Sequence, residues 1–191
     1  MRDTPRRLRR ATAALATLLV LAACADPGIS PAGPVRAAPA DLAAPCLTSS
    51  LKATVTLQPA ATDSTVRVAL VALTNTATEP CTLNGWLTIS LVNAAEDVVP
   101  VPTIRLDQPR QPSTFQVEAG GSAYTGLKWI SCEKTAPKCA VGANLRYSLG
   151  LKPEGPVAAL KDFPPPRRSR LAMTELRIGV LTPAPEQALT W

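Results

Sequence analysis

The stretch "ANLRYSLGL", residues 143–151, alternates apolar and polar side chains along its whole length. Its apolar positions fall on one predicted face and are Leu145, Tyr147, Leu149 and Leu151. A side-chain period of two is typical of a strand with one buried face, and antiparallel sheets commonly contain such strands. The stretch therefore predicts β-structure, with these four residues facing a core.

Seven other short runs are also rich in Val, Ile, Leu and Thr, and turn residues such as Asn84-Gly85 and Gly120-Gly121 lie between them. No stretch sustains a helical stripe for three turns. Eight short runs at this spacing predict an all-β domain, an antiparallel two-sheet sandwich over residues 46–191. The seven runs are residues 51–58, 65–75, 86–93, 98–104, 114–118, 122–130 and 174–182.

The run "VVPVPTI", residues 98–104, contains two prolines. A proline has no backbone N–H to donate to a neighbouring strand, so within a sheet it is confined to edges and bulges. The run is therefore predicted to be an edge strand.

Residues 1–23 have the pattern of an export signal. Five arginines and a single acid, Asp3, precede thirteen uncharged residues, which are too few to span a bilayer. The sequence Leu21-Ala22-Ala23-Cys24 then resembles the lipobox of bacterial lipoproteins, which implies cleavage before Cys24 and diacylation of its thiol. We expect a mature protein anchored by this lipid at the extracytoplasmic face of the cell membrane. The alternatives are secretion with an unmodified Cys24 and an uncleaved anchor.

The chain carries 20 basic and 14 acidic residues, but loss of the signal leaves 15 against 13. A nearly neutral mature chain argues against nucleic acid as a partner, because phosphate binding needs a clustered cationic surface. Residues 24–45 are rich in Pro, Gly and Ala and contain almost no large apolar side chain. Such a segment buries too little surface to offset its ordering entropy, so we expect a flexible tether.

Four cysteines remain after lipidation, namely Cys46, Cys81, Cys132 and Cys139. An even number in an exported chain predicts two disulfides, and four cysteines allow three pairings. We favour Cys46–Cys81 with Cys132–Cys139, because the latter pair spans a proline-containing turn. A metal or redox site is disfavoured, since the chain has no histidine and no C-x-x-C motif.

Three pieces of the chain carry a family resemblance: Cys46 before the first strand, "LTNTATEPCTLNGW" (73–86) and "VEAGGSAYTGLKW" (117–129). They resemble a family of exported actinobacterial domains of unknown function, many of them lipoproteins. The resemblance covers roughly residues 46–181 and implies an immunoglobulin-like sandwich. It implies no activity and no binding residues.

No sequence pattern indicates catalysis. The absence of histidine excludes Ser-His-Asp and Cys-His arrangements, and no phosphate-binding glycine loop is present. Glu96-Asp97 is the only adjacent carboxylate pair, and its place between two runs predicts a solvated hairpin tip. A Ser122–Lys128 pair lacks the S-x-x-K spacing. We expect a protein that is not an enzyme and uses neither cofactor nor metal.

Two tryptophans and an arginine cluster are candidate binding residues. Trp86 and Trp129 lie in or beside apolar runs, where burial is expected, although an exposed ring would be able to stack on a sugar. Arg167, Arg168 and Arg170 follow three prolines in "PPPRRSR", residues 164–170. They form either a solvated loop or a site that docks anionic lipid headgroups or an acidic envelope polymer.

Two functional classes follow. The first is a lipid-anchored noncatalytic interaction module that binds an envelope protein or polymer; the second is a lipoprotein that binds a small ligand or a glycan. A single sandwich of this size offers little room for a deep cleft, which favours the first class.

If the arginine cluster docks a polyanion, replacing Arg167, Arg168 and Arg170 by serine should weaken binding to anionic vesicles. The loss should be largest at low salt, where screening is weakest. Vesicle sedimentation over a salt series measures it. Binding that does not change would contradict the docking role.

Overall fold

The folded part of the protein is almost entirely β-structure. A computed structural model describes residues 43–60, 65–164 and 171–191, all of them within the second of two units of the chain, Ala40–Trp191. Besides a short 3-10 turn at Thr48–Ser50 and one short helix, α1 (Pro185–Ala188), these residues form twelve strands. The strands are β1 (Leu51–Leu57), β2 (Val66–Asn75), β3 (Cys81–Leu83), β4 (Thr88–Val92), β5 (Val98–Val99), β6 (Thr103–Arg105), β7 (Phe115–Val117), β8 (Ser122–Ser131), β9 (Ala140–Gly142), β10 (Asn144–Ser148), β11 (Ala159–Lys161) and β12 (Leu171–Ile178).

The largest sheet has seven strands, in the order β11-β1-β2-β8-β12-β6, with β9 also paired to β12. The central pairings of β1 with β2, β2 with β8 and β8 with β12 are antiparallel, whereas β11 and β6 are parallel to their neighbours. A three-stranded sheet has the order β10-β4-β5, and β3 pairs with β7. None of the sheets formed by the described residues closes on itself.

The alternation of side chains along the strands builds one apolar core. On β2, Ala69, Val71 and Leu73 are fully buried, and on β8 the buried positions include Leu127 and Trp129. Leu91 and Leu145 of the three-stranded sheet belong to the same buried cluster. The two larger sheets therefore share their core.

The all-β prediction is confirmed, and the predicted runs largely coincide with strands. The run 98–104 is divided between β5 and β6, each paired on one side only, at an edge of its sheet. Strands β3, β9 and β11 were not predicted. Leu151 was expected to face the core, but β10 ends at Ser148 and the Leu151 residue is 83% exposed. The chain turns there because the Ser148 hydroxyl accepts a hydrogen bond from the Gly150 N–H.

Both predicted disulfides are present, with the pairing favoured from the sequence: Cys46–Cys81 and Cys132–Cys139. The first closes a sequence separation of 35 residues and the second a separation of 7. On the chain-entropy estimate they contribute about 4 and about 2.5 kcal/mol respectively. The Cys46 disulfide joins the start of the domain to β3.

The side chain of Asn75, at the end of β2, is fully buried and joins two loops. Its Nδ2 donates to the carbonyl oxygens of Glu79, at 2.9 Å, and of Val117 and Glu118, both at 3.3 Å. Its Oδ1 accepts from the Ala77 N–H at 3.0 Å. One amide thus fixes both the connection from β2 to β3 and the turn from β7 to β8.

The C-terminal segment folds back onto the outer face of β8. Trp191 packs against Gly126 and Gly179, where a Cβ atom would lie within 3.2 Å of its indole. Lys128 lies over the same ring, 4.5 Å from its centroid. The two glycines leave the space that the indole occupies.

We expect Asn75→Asp to lower the free energy of unfolding by about 3 kcal/mol or more, because a carboxylate cannot donate to the three surrounding carbonyls and is costly to bury. Urea denaturation of the full chain measures the loss. The matched control is Asn84→Asp, since Asn84 is exposed and donates only to the Thr114 hydroxyl. Equal losses in the two variants would contradict the role of Asn75.

The Tyr147 hydroxyl donates to the Leu51 carbonyl at 2.6 Å, which links β10 to β1. Burial raises the pKa of Tyr147 above its ordinary value of 10.0, although a backbone hydrogen bond from Ala53 opposes the shift. Since the folded pKa is the higher one, the hydroxyl stabilises the protein fully below the unfolded pKa, and this stabilisation is lost as pH rises through the folded pKa.

Tyr147→Phe should therefore cost about 1 to 2 kcal/mol at neutral pH. It should also remove part of the alkaline loss of stability that is expected of the wild type. Thermal unfolding from pH 7 to 11 tests both points, with Tyr124→Phe on the outer face of β8 as the control. A Tyr147→Phe variant with wild-type alkaline behaviour would overturn the assignment.

Candidate functional site

A groove of about 680 Å³ opens between the edge strands β5 and β6. Ile89 and Leu91 of β4 lie on one side of its floor, and Leu176 of β12 lies on the other. These three side chains are nearly completely buried and belong to the core. The groove therefore lies over core side chains of both larger sheets, which are themselves almost completely covered.

The wall of the groove is the segment that crosses from one sheet to the other. The chain leaves β5 after Val99 and enters β6 at Thr103, passing through Pro100 and Pro102. Neither proline has an N–H, so two positions of this wall carry no backbone donor. Val98 at its start is 43% exposed. The wall is apolar and poor in donors.

The rim of the groove is also apolar. Leu151 and Pro153, which follow β10, also line the groove and are exposed. An exposed leucine is common on protein surfaces when it stands alone. Here Leu151 adjoins a groove that is already apolar, and together they form a continuous surface of the kind associated with binding.

Arg105 is the only charged residue among the described residues that line the groove. Its Nη2 donates to the Thr88 hydroxyl at 2.9 Å, and that hydroxyl donates to the Gly150 carbonyl at 2.6 Å. These two hydrogen bonds hold the guanidinium against β4. A guanidinium has five N–H donors in a planar fork, so donors remain to bind an anion at this position.

The two tryptophans considered as sugar platforms are both engaged within the fold. Trp129 is only 4% exposed, and its ring stacks on Phe163 at a centroid distance of 6.4 Å. Trp86 is half-buried, and its Nε1–H donates to the Leu106 carbonyl at 2.9 Å. Neither indole offers an exposed face comparable to the groove.

The residue pairs weighed for catalysis do not form a reactive arrangement. Glu96 and Asp97 lie in the exposed turn between β4 and β5, where Glu96 pairs with Arg146 at 3.0 Å. Ser122 and Lys128 are six residues apart along β8, a separation of about 20 Å in an extended strand. The Ser122 hydroxyl is hydrogen-bonded instead to that of Thr74.

Two of the predicted sites lie outside the described residues: the lipidation site Cys24, and the cluster of Arg167, Arg168 and Arg170. Within residues 43–60, 65–164 and 171–191, no group of three or more metal-ligating side chains is close enough together to hold a metal ion. The same residues include no helix that is long and apolar enough to cross a bilayer.

The groove was not predicted from the sequence. Its parts come from four distant segments, around residues 88–91, 98–105, 151–153 and 176. The only local indication was the proline-containing run 98–104, which was expected to be an edge strand. The segments that lie beside that edge are set by the topology of the whole domain, which the local sequence does not reveal.

The family described as "Domain of unknown function (DUF4232)" matches residues 46–175, about two thirds of the chain. The chain belongs to this family. The DUF4232 match begins at the cysteine of the first disulfide and ends within β12. It includes every residue of the groove except Leu176. No curated protein and no solved structure matches the chain.

Proposed function

We propose that this DUF4232 protein is a noncatalytic binding module, held by a lipid on Cys24 at the extracytoplasmic face of a bacterial membrane. The observation that carries the binding role is the groove between β5 and β6, which combines an apolar floor with one anchored cation, Arg105. Pockets that bind small molecules have this composition, being mostly apolar with a few placed polar groups.

Of the two roles expected from the sequence, the groove favours binding of a small ligand. A volume of about 680 Å³ lies within the range of ligand pockets and is too small for a folded domain to enter. We expected a single sandwich of this size to leave little room for a cleft, but the groove provides this volume. We propose that the seven-stranded and three-stranded sheets pack as an immunoglobulin-like sandwich and that the groove lies between their edges.

Three features support an extracytoplasmic, lipid-anchored location. The basic and apolar pattern of residues 1–23 is that of an export signal, and Cys24 ends a lipobox-like sequence. The two disulfides are typical of proteins in oxidising compartments. Residues 24–45 span at most about 75 Å when fully extended, so the domain would stay within that distance of the membrane surface.

The lipid anchor is tested by Cys24→Ser. We expect the full chain carrying this change to move from the membrane fraction to the soluble fraction, because the acyl chains that hold it are absent. Fractionation with immunoblotting measures the shift, and Cys132→Ser serves as the matched cysteine control. A processed Cys24→Ser protein that stays on membranes would contradict the anchor.

The binding role is tested in intact cells with a small diazirine-bearing amino acid in place of Val101, on the groove wall. The same amino acid in place of Lys52, exposed on β1, is the control. We expect mass spectrometry to detect cross-linked adducts at position 101 that are absent at position 52. The same adducts at both positions, or none at position 101, would overturn the assignment of the groove as a binding site.

A further inference from the structure

We propose that the groove binds an amphiphile with one carboxylate and one unbranched apolar chain, in the manner of a fatty acid. This inference rests on the proposed binding role of the same groove and names the ligand class. It follows from three properties of the described residues: the apolar floor, the scarcity of donors in the wall, and the position of a single cation.

The floor and rim suit a hydrocarbon chain. Ile89, Leu91 and Leu176 present only aliphatic side chains, and Leu151 stands exposed at the rim. A bound chain would bury its methylenes against the floor, whose side chains are already almost fully covered, and would remove the exposed Leu151 and Val98 from water. Each methylene so buried should strengthen binding about fourfold until the groove is filled.

The wall disfavours a peptide as the ligand. A peptide placed in the groove would bury carbonyl groups that need hydrogen-bond donors. Pro100 and Pro102 of the wall and Pro153 of the rim have no N–H to supply. The lining hydroxyls of Thr88 and Thr103 already donate to carbonyls of the fold, so few donors are left for a peptide. A hydrocarbon chain has no polar groups to satisfy, so the same surface accepts it without this cost.

The single cation selects a single negative charge. Arg105 is fixed by the Thr88 hydroxyl, and its planar fork matches the two oxygens of a carboxylate. A phosphate monoester carries between one and two charges near neutral pH, of which one guanidinium balances only part. A monocarboxylate therefore fits the charge of the groove better than a phosphate does.

The test is titration calorimetry with dodecanoate below its micellar concentration. The processed chain, residues 24–191 with Cys24→Ser, is used, because without the lipid and the apolar run of residues 11–23 it is expected to need no detergent. Dodecanol, octanoate and dodecyl phosphate are titrated in parallel. We expect one dodecanoate per chain, weaker binding of octanoate, and binding of dodecanol and of dodecyl phosphate that is at least tenfold weaker.

Two variants locate the site. Arg105→Gln should weaken dodecanoate binding at least tenfold and leave dodecanol binding unchanged, because a charge-assisted hydrogen bond is lost only with the carboxylate. Val101→Trp should abolish binding of both dodecanoate and dodecanol, because the larger side chain would fill the groove. Arg110→Gln is the matched control, since Arg110 is an exposed arginine that donates to Ser113 away from the groove.

Absence of dodecanoate binding, or equal binding by wild type and Arg105→Gln, would overturn the ligand class. Tighter binding of dodecyl phosphate would also overturn it and would indicate a phosphate headgroup. If Arg105→Gln fails to fold, the comparison of dodecanoate with dodecanol on the wild type decides the point. If dodecanoate does not bind but cross-links specific to position 101 are found, the ligand class is wrong and the binding role stands. If dodecanoate does not bind and no such cross-links are found, the binding role is wrong as well.

Discussion

The buried amide of Asn75 is the interaction on which the rest of the domain depends. It fixes the path of the chain from β2 into β3 and the turn that leads into β8. Strands β2 and β8 are the longest of the large sheet. The neighbouring disulfide Cys46–Cys81 holds β3 to the start of the domain. From β3 the chain continues into β4, whose buried side chains form one side of the groove floor. The hold on the end of β2 thus helps to place β4, one of the four segments that line the groove.

The sequence predicted the strands best where a run was long enough to show a period of two. Strands β1, β2 and β8 have seven to ten residues; the sequence of β1 alternates, whereas β2 was recognised as a long apolar run, since residues 68–73 are all apolar. Strands β3, β9 and β11 have three residues each, too few to establish a period. The long strands β12 and β1 supply the hydrogen-bond partners of β9 and β11, whereas β3 pairs with the equally short β7. Leu151 continued an apolar alternation, but the turn at Ser148–Gly150 ended the strand before it. The groove could not be predicted because its parts meet only through long-range pairing.

The groove and the expected lipid anchor give one physical account of the protein. The core side chains of the large sheet are buried, and the exposed apolar surface of the groove comes from Val98, where the crossing between β5 and β6 begins, and from Leu151. Prolines in that crossing remove donors, and Arg105 supplies one charge. A module with this surface, if tethered to a membrane by the proposed lipid, would be suited to bind a molecule that is itself partly lipid and partly ionic.

The most direct measurement is a crystal structure of the chain grown with dodecanoate. The account predicts a carboxylate within hydrogen-bond distance of the Arg105 guanidinium, with its chain lying over Ile89, Leu91 and Leu176. A groove that stays empty at saturating dodecanoate, or a chain bound with its carboxylate away from Arg105, would contradict it.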